Sequence, residues 1–168
     1  MSDHSKKIFF LFSIVVPILL YCAYYYGMMV KNAPYRFSDF QYIRLEYGEG
    51  DSLVNKYNSK TGDYQYLDSR DKLVKTNLKI TRDEMLYLHR KAADLGFWNF
   101  PEVEENSAFK STGQKSPHYL IEFAYKKKTK KVLFDAAYDG DPQLKDANNL
   151  LIKAIQKVLE ERESQLGK

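Results

Sequence analysis

Residues 118–138, "HYLIEFAYKKKTKKVLFDAAY", carry the clearest structural pattern in the chain. Two alternating apolar runs flank a lysine-rich centre, which is the pattern of an antiparallel β-hairpin. A turn at Lys128-Thr129, or over the four residues Lys127 to Lys130, predicts one and the same strand pairing. The apolar pairs are then Tyr125 with Val132, Phe123 with Phe134, Ile121 with Ala136, and Tyr119 with Tyr138. Because this apolar face is coherent, the sequence favours that register, with one face buried and one wet.

The same register sets two carboxylates against each other on the wet face, Glu122 and Asp135. Carboxylates that lie this close can share a proton or hold a cation, which makes the pair a candidate for acid–base or metal-dependent hydrolysis. The alternative is a solvated face whose lysines neutralise the pair, because exposed like charges are well screened.

The centre of the hairpin is a dense group of cations. Its members are Lys126, Lys127, Lys128, Lys130 and Lys131. As a binding surface, this group suits anionic lipid headgroups, polyanionic envelope polymers or nucleic acid. As plain structure, it is a solvated turn whose charge protects a sheet edge from aggregation.

The chain before the hairpin has the pattern of further strands. Residues 40–80 hold short aromatic and β-branched runs broken at Gly48-Glu49-Gly50, Thr61-Gly62 and Ser69-Arg70-Asp71. We expect three or four antiparallel strands there. With the hairpin, the predicted sheet has about five to six antiparallel strands.

Two helices complete the predicted domain. Thr81 and Glu84 form a capping box at the start of the first, and Gly96 suits the left-handed position after its end. The second begins at Asp141, with Pro142 in its first turn. The fold class is therefore α+β, an antiparallel sheet packed by two helices, mostly on one face.

Between helix and hairpin lie an aromatic corner and a long polar stretch. Phe97, Trp98 and Phe100 either anchor a partner at the surface or fill the corner between helix and sheet. The stretch from Glu102 to Pro117 is long for a connection without structure, which makes it a candidate binding loop.

The N-terminus has the pattern of a membrane anchor. Lys6 and Lys7 precede an uncharged run over residues 8–30, and a helix of about 20 residues crosses the hydrocarbon core. Cys22 raises the alternative of a lipoprotein, but bulky Tyr21 precedes it and the apolar run continues beyond it. We expect a tail at 1–7, a retained single-pass signal anchor at 8–30, a linker at 31–39 and one domain at 40–168.

Localisation follows from the orientation of this anchor. A short basic N-terminal tail favours the cytoplasm for the N-terminus, although Lys31, Arg36 and Arg44 oppose it. The predicted domain is then extracytoplasmic, at the cell membrane.

Composition restricts the chemistry further. With 26 basic and 22 acidic residues, the net charge of +4 does not favour a nucleic-acid-binding protein. The single cysteine is Cys22, and His89 and His118 lack metal-ligand spacing. We therefore expect no metal and no cofactor, and we find no phosphate loop or nucleophile motif.

The order of strands, "TRDEMLYLHRKAADLGFW", loop, hairpin and helix resembles small bacterial envelope proteins of unknown activity. Those proteins carry a membrane anchor or lipoprotein leader and an α+β domain with a similar T-x-x-E … L-G-F-W helix. The resemblance covers residues 40–160. It implies fold class and location, and it brings no catalytic residues.

Two functions follow as hypotheses. The first is a membrane-anchored, non-catalytic envelope domain that binds a protein or polymeric partner through the 102–117 stretch and the lysine hairpin. The alternative is a hydrolase that uses Glu122 and Asp135.

Overall fold

A computed structural model describes residues 3–31, 35–106, 108 and 115–166. The chain forms two compact units, Met1–Pro34 and Tyr35–Lys168. The first contains helix α1, Asp3–Lys31, and the second contains the sheet and two further helices.

Helix α1 is long and apolar enough to cross a membrane. The window Phe9–Tyr26 has a mean hydropathy of 1.9, and none of it is buried. Pro17 lies within the helix without ending it. Membrane helices tolerate an internal proline because nearby groups satisfy the backbone atoms that it leaves unpaired. Cys22 is a free, exposed cysteine. Support for a membrane span is limited to the length and composition of α1. A signal sequence near the N-terminus meets the same two criteria.

The second unit is built on one seven-stranded sheet. Its strands are β1 Phe40–Glu49, β2 Asn55–Asn58, β3 Asp63–Leu67, β4 Leu73–Asn77, β5 Val103–Glu104, β6 Pro117–Tyr125 and β7 Thr129–Asp135. Their order is β4-β3-β2-β1-β6-β7-β5. All neighbours are antiparallel except β5 and β7, which are parallel. The predicted α+β class is confirmed, but the sheet has seven strands instead of five to six, and it is mixed because one pair is parallel.

Strand β5 accounts for the mixed sheet. It has only two residues, Val103 and Glu104, and these lie in the polar stretch that we expected to be a loop. Two residues are too few to show an alternating pattern, so the sequence gives no signal for this strand.

Helix α2, Arg82–Asp94, begins and ends as predicted. The backbone N–H of Glu84 donates to the Thr81 hydroxyl, and the Glu84 carboxylate accepts from the Thr81 backbone N–H at 2.6 Å. This confirms the capping box. Gly96 follows the helix with φ 76°, in the left-handed region where glycine has no steric cost.

Helix α3, Pro142–Leu166, begins at the predicted cap, because the Asp141 carboxylate accepts from the Gln143 backbone N–H at 2.8 Å. Arg162 of α3 donates to Glu84 at 2.9 Å and so ties the two helices of the domain together.

Both helices pack on the same face of the sheet. The core cluster joins Leu88 and Ala92 of α2 and Leu151 and Ile155 of α3 to alternate residues of the central strands. Those strand residues are Ile43, Leu45, Ile121, Phe123, Val132 and Phe134. Because successive side chains on a strand point to opposite faces, the residues between them form the opposite face. We call it the polar face.

The hairpin pairs in a different register from the one predicted. Ile121 lies opposite Val132, Tyr119 opposite Phe134, and Glu122 opposite Lys131. The turn is Lys126-Lys127, closed by a hydrogen bond from Tyr125 N–H to the Lys128 carbonyl at 2.9 Å. Every partner is displaced by four residues. An even displacement keeps each side chain on its face, so the apolar pattern fits both registers and does not discriminate between them.

Candidate functional site

A groove crosses the polar face over strands β1 to β4. Its volume is about 480 Å³. The polar-face residues that line it are Arg44, Glu46, Lys56, Asn58, Asp63, Gln65 and Lys75. Period-2 alternation places them there, because their strand neighbours Leu45, Tyr57 and Tyr64 are buried on the helix side. The groove therefore presents cations, carboxylates and amides together.

Arg44 organises one end of this groove. Its guanidinium donates to Glu46 from Nε at 2.7 Å and lies 3.9 Å from Glu122. Tyr42 donates its hydroxyl proton to Glu122 at 2.7 Å, and that hydrogen bond is the main reason that the pKa of Tyr42 is raised. Cross-strand pairing with Asn58 and Glu122 fixes the backbone of Arg44, and the hydrogen bond to Glu46 holds the guanidinium. The result is a positioned cation at the edge of an open groove.

The predicted carboxylate pair does not form. Glu122 lies between Arg44 on β1 and Lys131 on β7, and Asp135 lies opposite His118 instead. Four residues along a strand separate the two positions by about 13 Å. The two carboxylates are apart because the hairpin pairs four residues away from the predicted register. The hydrolase hypothesis loses the proximity on which it depended.

Asp135 forms a node of hydrogen bonds. It is 2% exposed and accepts from the Ser116 hydroxyl, from the Ala137 N–H at 2.7 Å and from the Asn106 N–H at 3.3 Å. Burial disfavours its charge, but these donors and nearby His118 outweigh burial and hold the pKa of Asp135 below its usual value. Ser116 bonds directly to the carboxylate, so this is not a nucleophile activated through histidine.

The two domain histidines have separate partners. His118 contacts the Gly50 carbonyl through Nδ1 at 2.8 Å, and His89 contacts the Tyr125 hydroxyl through Nδ1 at 2.8 Å. Burial, followed by the charge of Arg90, lowers the pKa of His89. Within the described residues, no group of three or more His, Cys, Asp or Glu side chains is arranged to hold a metal ion.

Trp98 belongs to an aromatic cluster, which also contains Tyr35, Phe37, Phe40, His89, Phe97, Phe123 and Tyr125. Its ring stacks on that of Tyr35 with centroids 4.4 Å apart. Phe97 and Phe100 are buried and Trp98 is half-buried. Of the two hypotheses, the one in which the corner is filled describes Phe97 and Phe100 better. Trp98 also packs against the domain core.

The five predicted binding lysines do not form one surface. Lys126 and Lys127 are exposed at the turn, and Lys128 places Nζ 3.7 Å from the Tyr35 ring centroid. Lys130 donates to the Phe100 carbonyl, and burial is the main reason that its pKa is lowered. Lys131 is exposed opposite Glu122. Lys130 and Lys131 lie on opposite faces of the sheet because successive residues alternate along β7.

Sequence reasoning missed the groove and the Asp135 node. The sequence does indicate a polar sheet face here, because Arg44 and Glu46 alternate with Leu45 at the start of the region 40–80 in which strands are predicted. The node had no such signal, because Asn106 and Ser116 are brought to Asp135 only by the fold. The sequence matches no protein-family model and no curated protein.

Proposed function

We propose that this chain is a membrane-anchored, non-catalytic domain that binds a protein or polymer outside the cytoplasmic membrane. The groove of about 480 Å³ on the polar face is the observation that carries the proposal. Binding there places the partner surface on strands β1 to β4. The predicted binding loop at 102–117 lies in part outside the described residues and stays a prediction. The lysine turn is considered separately below.

The groove suits a partner with hydrogen-bonding groups and a small excess of negative charge, because its cations outnumber its carboxylates, Glu46 and Asp63, by one. Lys56 and Lys75 are exposed along it, and Arg44 is held in place by Glu46. Gln65 donates to the Val54 carbonyl at 2.8 Å, which keeps its amide oriented. Side chains fixed in this way lose little entropy when a partner binds.

Membrane anchoring is supported by the length and hydropathy of α1. A reporter that is active only outside the cytoplasm, fused after Lys168, tests the orientation in intact cells. We expect activity of this reporter. Activity of a cytoplasmic reporter at the same position contradicts the proposed location.

Photocrosslinking in living cells tests the groove. A photoreactive amino acid at Gln65 in the full chain is expected to give discrete adducts of higher mass. The matched control places it at Lys153, which is exposed on α3. Adding Lys56→Gln and Lys75→Gln to the Gln65 derivative is expected to reduce the adduct several-fold. Equal adducts from both positions, or no adduct from Gln65, overturn the proposed site.

A further inference from the structure

We propose that a basic surface around Tyr35, the first residue of the domain unit, binds the phosphate groups of anionic phospholipids. We call it the basic collar. Its members are Arg36, Arg82, Arg90, Lys126, Lys127 and Lys128. The inference rests on the proposed membrane anchoring and is independent of the groove.

Contacts to one segment bring these cations together. The Lys126 N–H donates to the Asp39 carbonyl at 2.9 Å, and its Nζ lies 3.5 Å from the Asp39 carboxylate. Lys128 lies over the Tyr35 ring, and the Arg82 guanidinium carbon lies 5.9 Å from the Phe37 ring centroid. The turn, the start of α2 and the segment 35–40 therefore meet at one surface.

The remaining members of the collar extend this surface. Arg36 is exposed beside Tyr35, and Arg90 is exposed on α2 next to His89. The His89 ring lies 5.6 Å from that of Phe37, and Arg90 is close enough to His89 for its charge, after burial, to lower the pKa of His89. Arg36 adjoins the same cluster in sequence, between Tyr35 and Phe37. Asp39 and Asp83 lie among the cations, and Asp39 is paired with Lys126.

The mixture of residues matches a lipid surface better than a soluble polymer. Tyr35 and Trp98 are half-buried amphipathic rings beside exposed cations, and this combination is typical of membrane–water interfaces. In sequence, Tyr35 follows closely after Lys31, where α1 ends. In a chain anchored by α1, the collar is therefore the part of the domain with the shortest tether to lipid. Basic side chains close to such an anchor are attracted by anionic headgroups.

Energy transfer from Trp98, the single tryptophan of the chain, measures this contact. The full chain is reconstituted in phosphatidylcholine vesicles, with or without phosphatidylglycerol, that carry a dansyl-labelled headgroup in both leaflets. We expect greater transfer in the anionic vesicles, and we expect added salt to abolish the increase, because the attraction is screened. Equal transfer in both lipid mixtures contradicts the proposal.

A triple variant with its matched control tests the collar residues. Arg36→Gln, Lys126→Gln and Lys127→Gln remove three exposed cations, and each loss is expected to weaken the attraction roughly fivefold. Lys72→Gln, Lys79→Gln and Lys153→Gln remove the same charge from exposed positions outside the collar. We expect the first variant to lose the increase and the control to keep it. Equal losses in both variants overturn the assignment to the collar.

Two further outcomes separate the causes of failure. If dextran sulfate changes Trp98 emission in neutral vesicles and anionic lipid does not, the collar binds a polymer and the lipid proposal is wrong. If alkaline extraction removes the chain from vesicles, the anchoring itself fails, and the collar proposal fails with it. If the chain stays in the vesicles and anionic lipid does not increase energy transfer from Trp98, the collar proposal is wrong and the anchoring proposal stands.

Discussion

At the scale of single residues, Glu104 and Asn148 form a buried polar pair beneath α3. Glu104 is 1% exposed and accepts from the Asn148 amide at 2.7 Å. Within the described part of the chain, the second oxygen of Glu104 and the Asn148 side-chain carbonyl have no hydrogen-bond partner. Both atoms are acceptors while Glu104 is ionised. A proton on Glu104 supplies the missing donor.

The pKa of Glu104 is accordingly raised. Burial is the main cause and nearby Asp141 adds to it, while the Asn148 amide and Lys130 oppose it. A carboxyl group with a raised pKa binds its proton more tightly in the folded state. Its contribution to stability is full below the ordinary pKa of 4.5 and is lost as the pH rises through the folded pKa.

Glu104→Gln tests this pair. Glutamine carries no charge at any pH and brings a donor to a pair that has two unpartnered acceptors, so we expect the variant to be more stable at neutral pH by about 1–2 kcal/mol. The gain should shrink as the pH falls towards 4.5. Thermal unfolding of the full chain in detergent, followed across this range, measures it. A variant less stable than the parent at neutral pH contradicts the prediction.

Asp135 has the opposite pH dependence, because its pKa is lowered in the folded state. Its stabilising contribution is present above the ordinary pKa of 3.8 and is lost as the pH falls through the folded pKa. In Asp135→Asn, the new amide N–H₂ is a donor that faces other donors, so some of the hydrogen bonds to this position are lost. We expect a loss of about 1–3 kcal/mol in unfolding free energy at neutral pH. Glu122→Gln is the control and should cost less, because Tyr42 can still donate to the amide oxygen.

The sequence predicts the helix caps but not the buried polar contacts. Caps were predictable because Thr81 and Asp141 act on neighbours in the chain, and local spacing specifies such contacts. Glu104 and Asn148 are 44 positions apart, and no local pattern connects them. The role of Asp135 depended in addition on the correct register of the hairpin.

At the scale of elements, the hairpin shows the limit of periodicity. Alternation correctly identifies two paired strands, and it assigns Phe123 and Val132 to the buried face. It does not locate the turn, because registers that differ by an even number of residues bury the same side chains. Strand β5 and its parallel pairing with β7 were beyond sequence reasoning for a different reason. Its two residues, Val103 and Glu104, are held by pairing with Leu133 and Phe134 of β7, which lie far away along the chain.

Gly96 and Gly62 allow the cost of backbone strain to be distinguished from the cost of steric crowding. Gly96 has φ 76°, and an added Cβ would lie 3.9 Å from Phe100, so Gly96→Ala is expected to cost about 1 kcal/mol for the backbone alone. Gly62 has φ 79°, and its Cβ would lie 2.8 Å from Asn77 Oδ1. Gly62→Ala should therefore cost more. Urea unfolding of both variants compares them, and equal losses would show that Asn77 moves aside freely.

At the scale of the whole molecule, the domain unit begins with a segment that was expected to be a linker. Tyr35 stacks on Trp98 and meets the Tyr125 ring edge-on at 5.0 Å between centroids. Aromatic pairs of this kind contribute about 0.5–1.5 kcal/mol beyond the burial of their area. The first residue of the unit therefore helps to hold its core together.

Tyr35→Ala should expose Trp98 without unfolding the domain. We expect a red shift of Trp98 emission and a decrease of about 1–2 kcal/mol in unfolding free energy. Tyr35→Phe is the control and should leave both nearly unchanged, because the contacts are made by the ring. An unshifted emission in the alanine variant would mean that Tyr35 does not cover Trp98 in solution.

The Asp135 node also has a consequence for how the chain tolerates change. One carboxylate holds the Asn106 backbone and the Ser116 side chain, and so fixes both ends of the segment between them. Loss of the Asp135 carboxylate therefore releases Asn106 and Ser116 together, two positions that are ten residues apart in the chain. A single substitution at this position is thus expected to loosen both neighbours of the sheet edge at once, Asn106 after β5 and Ser116 before β6.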